Sequence, residues 1–104
     1  MALSAVTLNM SDRLRLIRFS EREIGALRST IQGLWGRGIQ SEREYHGAHE
    51  FKLKGYPWNG QGSDAIPSRR LMCGVLSTLH GMGWVLAMST DVTKKGVRLE
   101  LDQT

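Results

Sequence analysis

The chain has 104 residues, 40% hydrophobic and 23% charged, which suits one domain and excludes both two ordinary domains and a wholly disordered polymer. Its formal net charge of +4 is a mild basic excess that admits an anionic partner without requiring one. One cysteine, Cys73, excludes an internal disulfide and fits a reducing compartment, and no apolar run approaches the roughly 18 residues of a membrane span.

The opening stretch, MALSAVTLNMS, has neither a basic n-region nor a continuous apolar core, so it does not read as a signal peptide. An intracellular protein, cytoplasmic or nuclear, is expected, with no membrane association. Residues 1–11 are expected to form a flexible extension and residues 12–104 a single α/β domain.

Residues 13–19, RLRLIRF, alternate basic and apolar side chains at period 2, the pattern of a strand. Leu14 and Leu16 fall on one face, Arg13, Arg15 and Ile17 on the other. Ser20 and Glu23 then have the spacing of a capping box, with Phe19 and Ile24 placed for a hydrophobic staple. Ile24, Leu27, Ile31 and Leu34 continue as one apolar stripe of a helix, which Gly36 and Gly38 end beside Trp35. Residues 39–46 are polar and read as irregular.

Residues 48–54, AHEFKLK, predict a second strand, with Phe51 and Leu53 facing one way and Lys52 and Lys54 the other. GYPWNGQGS is a turn or loop. A second helix is expected from about Asp64 to His80, with Met72, Val75, Leu76 and Leu79 as its inner stripe and Gly81 and Gly83 as its stop. WVLAMSTDV and GVRLELD read as two further strands joined around Lys94, Lys95 and Gly96, with Val97, Leu99 and Leu101 turned inward.

The expected order is β-α-β-α-β-β. Each helix has one apolar stripe to bury on a sheet, and right-handed crossovers place both helices on the same face. The expected fold is therefore an α/β two-layer sandwich with two helices on one face of a mixed four-stranded sheet. Over residues 12–103 that element order resembles the C-terminal domain of bacterial translation initiation factor three. The resemblance implies a class of small domains of which many bind RNA or DNA.

Several stretches invite a chemical reading. Gly55-Tyr56-Pro57-Trp58-Asn59-Gly60 supplies the glycine spacing of a phosphate loop between a strand and a helix, but Gln61 and Gly62 stand where the lysine and hydroxyl belong. Nucleotide hydrolysis is not expected. Gly60-Gln61-Gly62 also lacks the third glycine of a dinucleotide fingerprint. Arg69 and Arg70 near the start of the second helix oppose its dipole, which gives them a possible role with an anion beside the bland one of flanking the apolar stripe.

His46 and His49 have the order H-x-x-H-E and not the zincin H-E-x-x-H, and on a strand they point to opposite sides, so no metal site is expected. Cys73 within the second helix reads as a small core hydrophobe. Asp91 beside Lys94 and Lys95 reads as solvated loop charge. No cofactor is expected, and a small enzyme using His49, Cys73 or Asp91 is the least favoured reading.

The basic strands form the stronger constellation. Arg13 and Arg15 share one strand face and Lys52 and Lys54 another, and with the helices behind the sheet all four emerge on its open side, near Arg98. Such a face neutralises phosphates in a salt-sensitive way. Tyr56 and Trp58 sit at the strand end, where rings can stack on bases. The expected function is a small binding module for RNA or another polyanion, using Arg13, Arg15, Lys52, Lys54, Tyr56, Trp58, Arg69 and Arg70. The alternative is a protein-interaction domain that docks a partner through Tyr56-Pro57-Trp58 or a sheet edge. Oligomeric state is not legible.

Overall fold

A computed structural model describes residues 4–10, 12–58, 65–91 and 96–103. They form β1 (Ser4–Asn9), β2 (Arg13–Ile17), α1 (Glu21–Leu34), β3 (Ile39–Tyr45), β4 (Ala48–Leu53), α2 (Ala65–Gly81), β5 (Trp84–Asp91) and β6 (Gly96–Gln103). The six strands make one sheet in the order β3-β4-β2-β1-β6-β5, and every neighbouring pair is antiparallel.

This corrects the expected fold in three places. The sheet has six strands and not four, and it is antiparallel throughout and not mixed. Residues 4–9, expected within a flexible extension, form an inner strand flanked by β2 and β6. Residues 39–45, expected to be irregular, form edge strand β3. The element order is thus ββαββαββ, so the four-strand order behind the initiation-factor resemblance does not hold.

Both omissions have a physical cause. In β1, Ser4, Ala5 and Val6 are all buried, because small side chains on either face of an inner strand lose their solvent to larger neighbours. No alternation survives to be read. The β3 residues Gln40 to Glu44 are all exposed, as an edge strand permits, and polar charged edges discourage strand addition. The β3–β4 turn also escapes simple recognition. His46 and Gly47 have φ of 48° and 82°, and positive φ at both central residues marks the two-residue hairpin loop usually written Asn-Gly or Asp-Gly.

Local signals fare better in α1. The Ser20 hydroxyl accepts from the Glu23 amide and the Glu23 carboxylate accepts from the Ser20 amide, which completes the capping box. Phe19 and Ile24 both pack against the core. At the other end Leu34 is exposed, and Trp35, one residue past the helix, is buried in its place. Its indole N–H donates to the Lys54 carbonyl at 2.7 Å, tying the end of α1 to the end of β4.

In α2 the buried stripe is Leu71, Val75 and Leu79, a strict i, i+4, i+8 row. Met72 and Leu76, expected inside, are half-buried beside it. The same rotation turns Cys73 outward, so the expected core cysteine is exposed. The helices touch closely where Thr30 and Thr78 hydroxyls share a hydrogen bond of 2.6 Å.

The core lies between the helices and one sheet face. Leu27 and Ile31 of α1 and Leu71, Val75 and Leu79 of α2 meet Val6, Leu14, Leu16, Phe51, Leu53, Trp84 and Leu101. These strand residues are the alternate set, so their neighbours Arg13, Arg15, Glu50, Lys52, Arg98 and Glu100 are turned to the side without helices. No helix among the described residues is long and apolar enough to cross a membrane.

Candidate functional site

Strand register brings the chemistry together on that open side. Arg15 of β2 lies opposite Glu50 of β4, and Arg43 of β3 lies opposite the same Glu50 from the other flank. Arg13 pairs with Lys52 one ladder step away. One carboxylate therefore sits at the centre of a cationic ring.

The contacts are short. Arg15 Nε donates to Glu50 Oε2 at 2.6 Å and Arg43 Nε donates to Oε1 at 2.8 Å, with Arg13 Nη1 3.5 Å from Oε1. Asp12 closes the near end, 3.0 Å from Lys52 Nζ and 3.7 Å from Arg13 Nε. Lys52 also donates to the Gln40 side-chain oxygen at 2.9 Å. Four cations face two carboxylates, which leaves a residual charge of +2 on the patch.

Glu50 is only 2% exposed although it lies on the open side, because the arginine and tyrosine side chains roof it. Burial alone disfavours its charged form, but hydrogen bonds from Arg15 and Arg43, reinforced by their charge, outweigh that and hold the carboxyl below its usual range. It is an ionised group that fixes the directions of its arginines. Tyr45 completes the roof. The Arg15 guanidinium carbon lies 4.2 Å from its ring centroid and that of Arg43 4.7 Å, both within cation–π range.

A second ion pair lies on the helix side. Arg28 of α1 grips Glu42 of β3 with two hydrogen bonds of 2.8 Å, and His49 Nε2 reaches the same carboxylate at 2.7 Å. The Arg28 bonds, with opposing burial and a smaller contribution from His49, hold Glu42 below the ordinary carboxylate range. This group fastens β3 to α1. No cluster of three or more histidine, cysteine or acidic side chains able to hold a metal occurs among the described residues.

The cations singled out from sequence divide into three sets. Arg13, Arg15 and Lys52 share the open face. Lys54 lies just beyond β4 and is exposed. Arg69 and Arg70 are exposed on α2, in the helix layer, and so lie across the sheet from the arginine patch.

The aromatic loop behaves unevenly. Tyr56 is 63% exposed, whereas Pro57 is buried. Trp58 packs against the core, and its indole N–H donates to the Arg13 carbonyl at 2.9 Å. Gly55 is explained by packing and not by a phosphate: with φ of +86°, a Cβ there would come within 2.8 Å of Arg37 Cδ. Asn59 to Ser63, the rest of the glycine-rich reading, lie outside the described residues, as do Lys94 and Lys95.

Sequence reading missed Arg43, Tyr45 and Glu50 as members of the patch. Glu50 has the same strand parity as Lys52, so its face was legible in AHEFKLK. Arg43 and Tyr45 required β3 and its register, which only the hairpin supplies.

A domain-family model matches residues 2–104. No curated protein matches the chain. Among solved structures, the chain is similar to the crystal structure of a conserved kinetoplastid-specific protein from Trypanosoma cruzi. That similarity has a TM-score of 0.64 at 14% sequence identity and covers 98% of this chain and 94% of that one. At such identity the likeness is one of fold.

Proposed function

The chain belongs to the domain family matched over residues 2–104, and we propose that this member is a binding module whose open sheet face holds RNA or another polyanion. The observation that carries the proposal is the convergence of Arg13, Arg15, Arg43 and Lys52 around one buried carboxylate, with positive charge left over. A solvated face of scattered lysines needs no such organisation. Here Glu50 pre-orders three guanidiniums, which lowers the side-chain entropy lost when an anion docks. The hydrogen bonds from Arg15 and Arg43 to Glu50 both use the Nε–H, which leaves the Nη donors of these two arginines to match phosphate oxygens. Arg98 lies on the same face of β6 in an ion pair of 3.8 Å with Glu100, so it adds a guanidinium donor on that side but no net charge.

The test is a titration of the full chain with RNA across a salt series, beside Lys52→Glu combined with Lys54→Glu. Binding with a steep salt dependence, lost in the charge-reversed variant while its circular dichroism stays native, supports the proposal. No association at low salt overturns it.

A second reading, docking of an extended peptide, is favoured by one observation. Beside edge strand β5 lies an apolar groove of about 450 Å³, lined by Leu76, Ser77, Trp84, Leu86 and Leu101 among others, and Leu86 is 50% exposed. Strand addition at β5 would cover it. Leu86→Glu should then abolish peptide capture and leave RNA affinity unchanged; capture by the variant at parental strength counts against this reading.

A further inference from the structure

Resting on the polyanion reading, we infer that the open face takes the phosphate backbone of a nucleic-acid double helix and not the bases of a single strand. Single strands are held chiefly by stacking splayed bases on exposed aromatic rings, whereas duplexes are held through phosphates and groove shape. The open face is poor in the first resource and rich in the second.

Tyr45 is the one aromatic side chain that strand alternation places on this face among the described residues. Its ring is already engaged. Arg15 and Arg43 both lie over it, and the His46 ring meets it edge-on at 4.4 Å. A base that stacked there would have to displace guanidiniums that are also bound to Glu50. Phe51 and Trp84 belong to the core, and Trp58 is tied to the Arg13 carbonyl. Tyr56 is exposed, but it stands in the connection after β4 and not among the arginines.

The cations are spread as a backbone reader requires. They come from β3 (Arg43), β4 (Lys52), β2 (Arg13 and Arg15) and β6 (Arg98), with β1 between the last two strands. Neighbouring strands lie about 4.8 Å apart, so β3 to β6 spans about 19 Å across the sheet. That row is long enough to reach phosphates on both sides of a groove about 12 Å wide. A single strand would need the cations to follow one path, with rings beside it. Thr7 and Asn9 of β1 bond to each other at 2.7 Å between the β2 arginines and Arg98, a polar, uncharged step in the row.

The experiment titrates the full chain with a short RNA duplex, a DNA duplex of the same sequence and the corresponding single-stranded RNA, following anisotropy over a salt series. Tighter binding of the duplexes by about tenfold or more, with Arg98→Ala flattening the salt slope and Tyr56→Ala changing nothing, supports the inference. A preference for one duplex also supports it and identifies the helix form. Single-stranded RNA bound as tightly as duplex, or lost on Tyr56→Ala, overturns the inference and leaves the polyanion reading standing. Failure of all three probes to bind at low salt overturns the polyanion reading itself.

Discussion

Replacing Glu50 by glutamine separates the structural and binding roles of the patch, because it should weaken the fold and steepen the salt dependence of polyanion binding at once. The carboxylate is 2% exposed and contacts Arg15 at 2.6 Å, Arg43 at 2.8 Å and Arg13 at 3.5 Å. At an effective dielectric of about 20, unit charges ~4 Å apart attract by about 4 kcal/mol. Several kcal/mol of carboxylate desolvation offset the sum over these pairs. Glutamine keeps one acceptor oxygen but aims an amide N–H₂ at the other guanidinium, so one arginine is left facing a donor. The arginines are partly exposed and recover some hydration, which places the net loss near the lower limit for breaking a buried ion pair, about 3 kcal/mol. For a chain of this size that lowers the melting temperature by about 12–24 °C.

The same change raises the residual charge of the patch by one. The salt slope should steepen by about 0.9 if one more phosphate is neutralised, whereas in the affinity itself the added charge is opposed by the lost pre-ordering of the guanidiniums. The assays are urea denaturation and an anisotropy titration of the variant at a temperature where it remains folded. Parental stability would refute the organising role of Glu50. A folded variant with the parental salt slope would refute the view that these arginines meet the ligand.

Other expectations follow from single contacts. Ser20→Ala removes half of the capping box and should cost about 1 kcal/mol in urea denaturation; an unchanged midpoint would show that the box is not needed. Trp35→Ala deletes a buried ring and its bond to Lys54, so a loss of about 3–5 kcal/mol is expected, and a loss below 1 would contradict the packing described. Gly55→Ala forces a Cβ toward Arg37 at positive φ and should destabilise by about 1–3 kcal/mol, whereas a stabilised variant would mean the turn relaxes freely. Glu23, Glu42 and Glu50 all have carboxyl groups held below their ordinary range. Their stabilisation is complete above the unfolded carboxylate value of about 4.3 and is lost as pH falls through the lowered folded values. Chemical denaturation between neutral pH and about pH 3 should show that acid decline, and a pH-independent midpoint would refute it.

The parts legible in the sequence were those whose signal is local. Ser20, Glu23 and the apolar stripe with Leu27 and Ile31 announce α1 because capping and helical periodicity involve residues three and four apart. RLRLI, AHEFKL and VRLEL announce β2, β4 and β6 because one face of each is dry. The outward parity of Arg13, Arg15 and Lys52 followed from the same alternation. Leu34 and Cys73 were misplaced because a stripe read from sequence fixes a helix face only to within about one residue, while packing into the shared core selects the rotation.

What the chain determined by itself was two capped or stopped helices, the inward and outward faces of its alternating strands, and a basic surplus. The tertiary structure decided which strands meet. Only pairing could reveal that small, unpatterned residues 4–9 fill an inner position, or that polar residues 39–45 form an edge. Only antiparallel register could set Arg15 and Arg43 on opposite flanks of Glu50, 35 and seven residues away in the chain. Side-chain alternation is a property of one strand, but a cationic cluster belongs to several strands at once, and hydrogen-bonded register is the physical agent that assembles it.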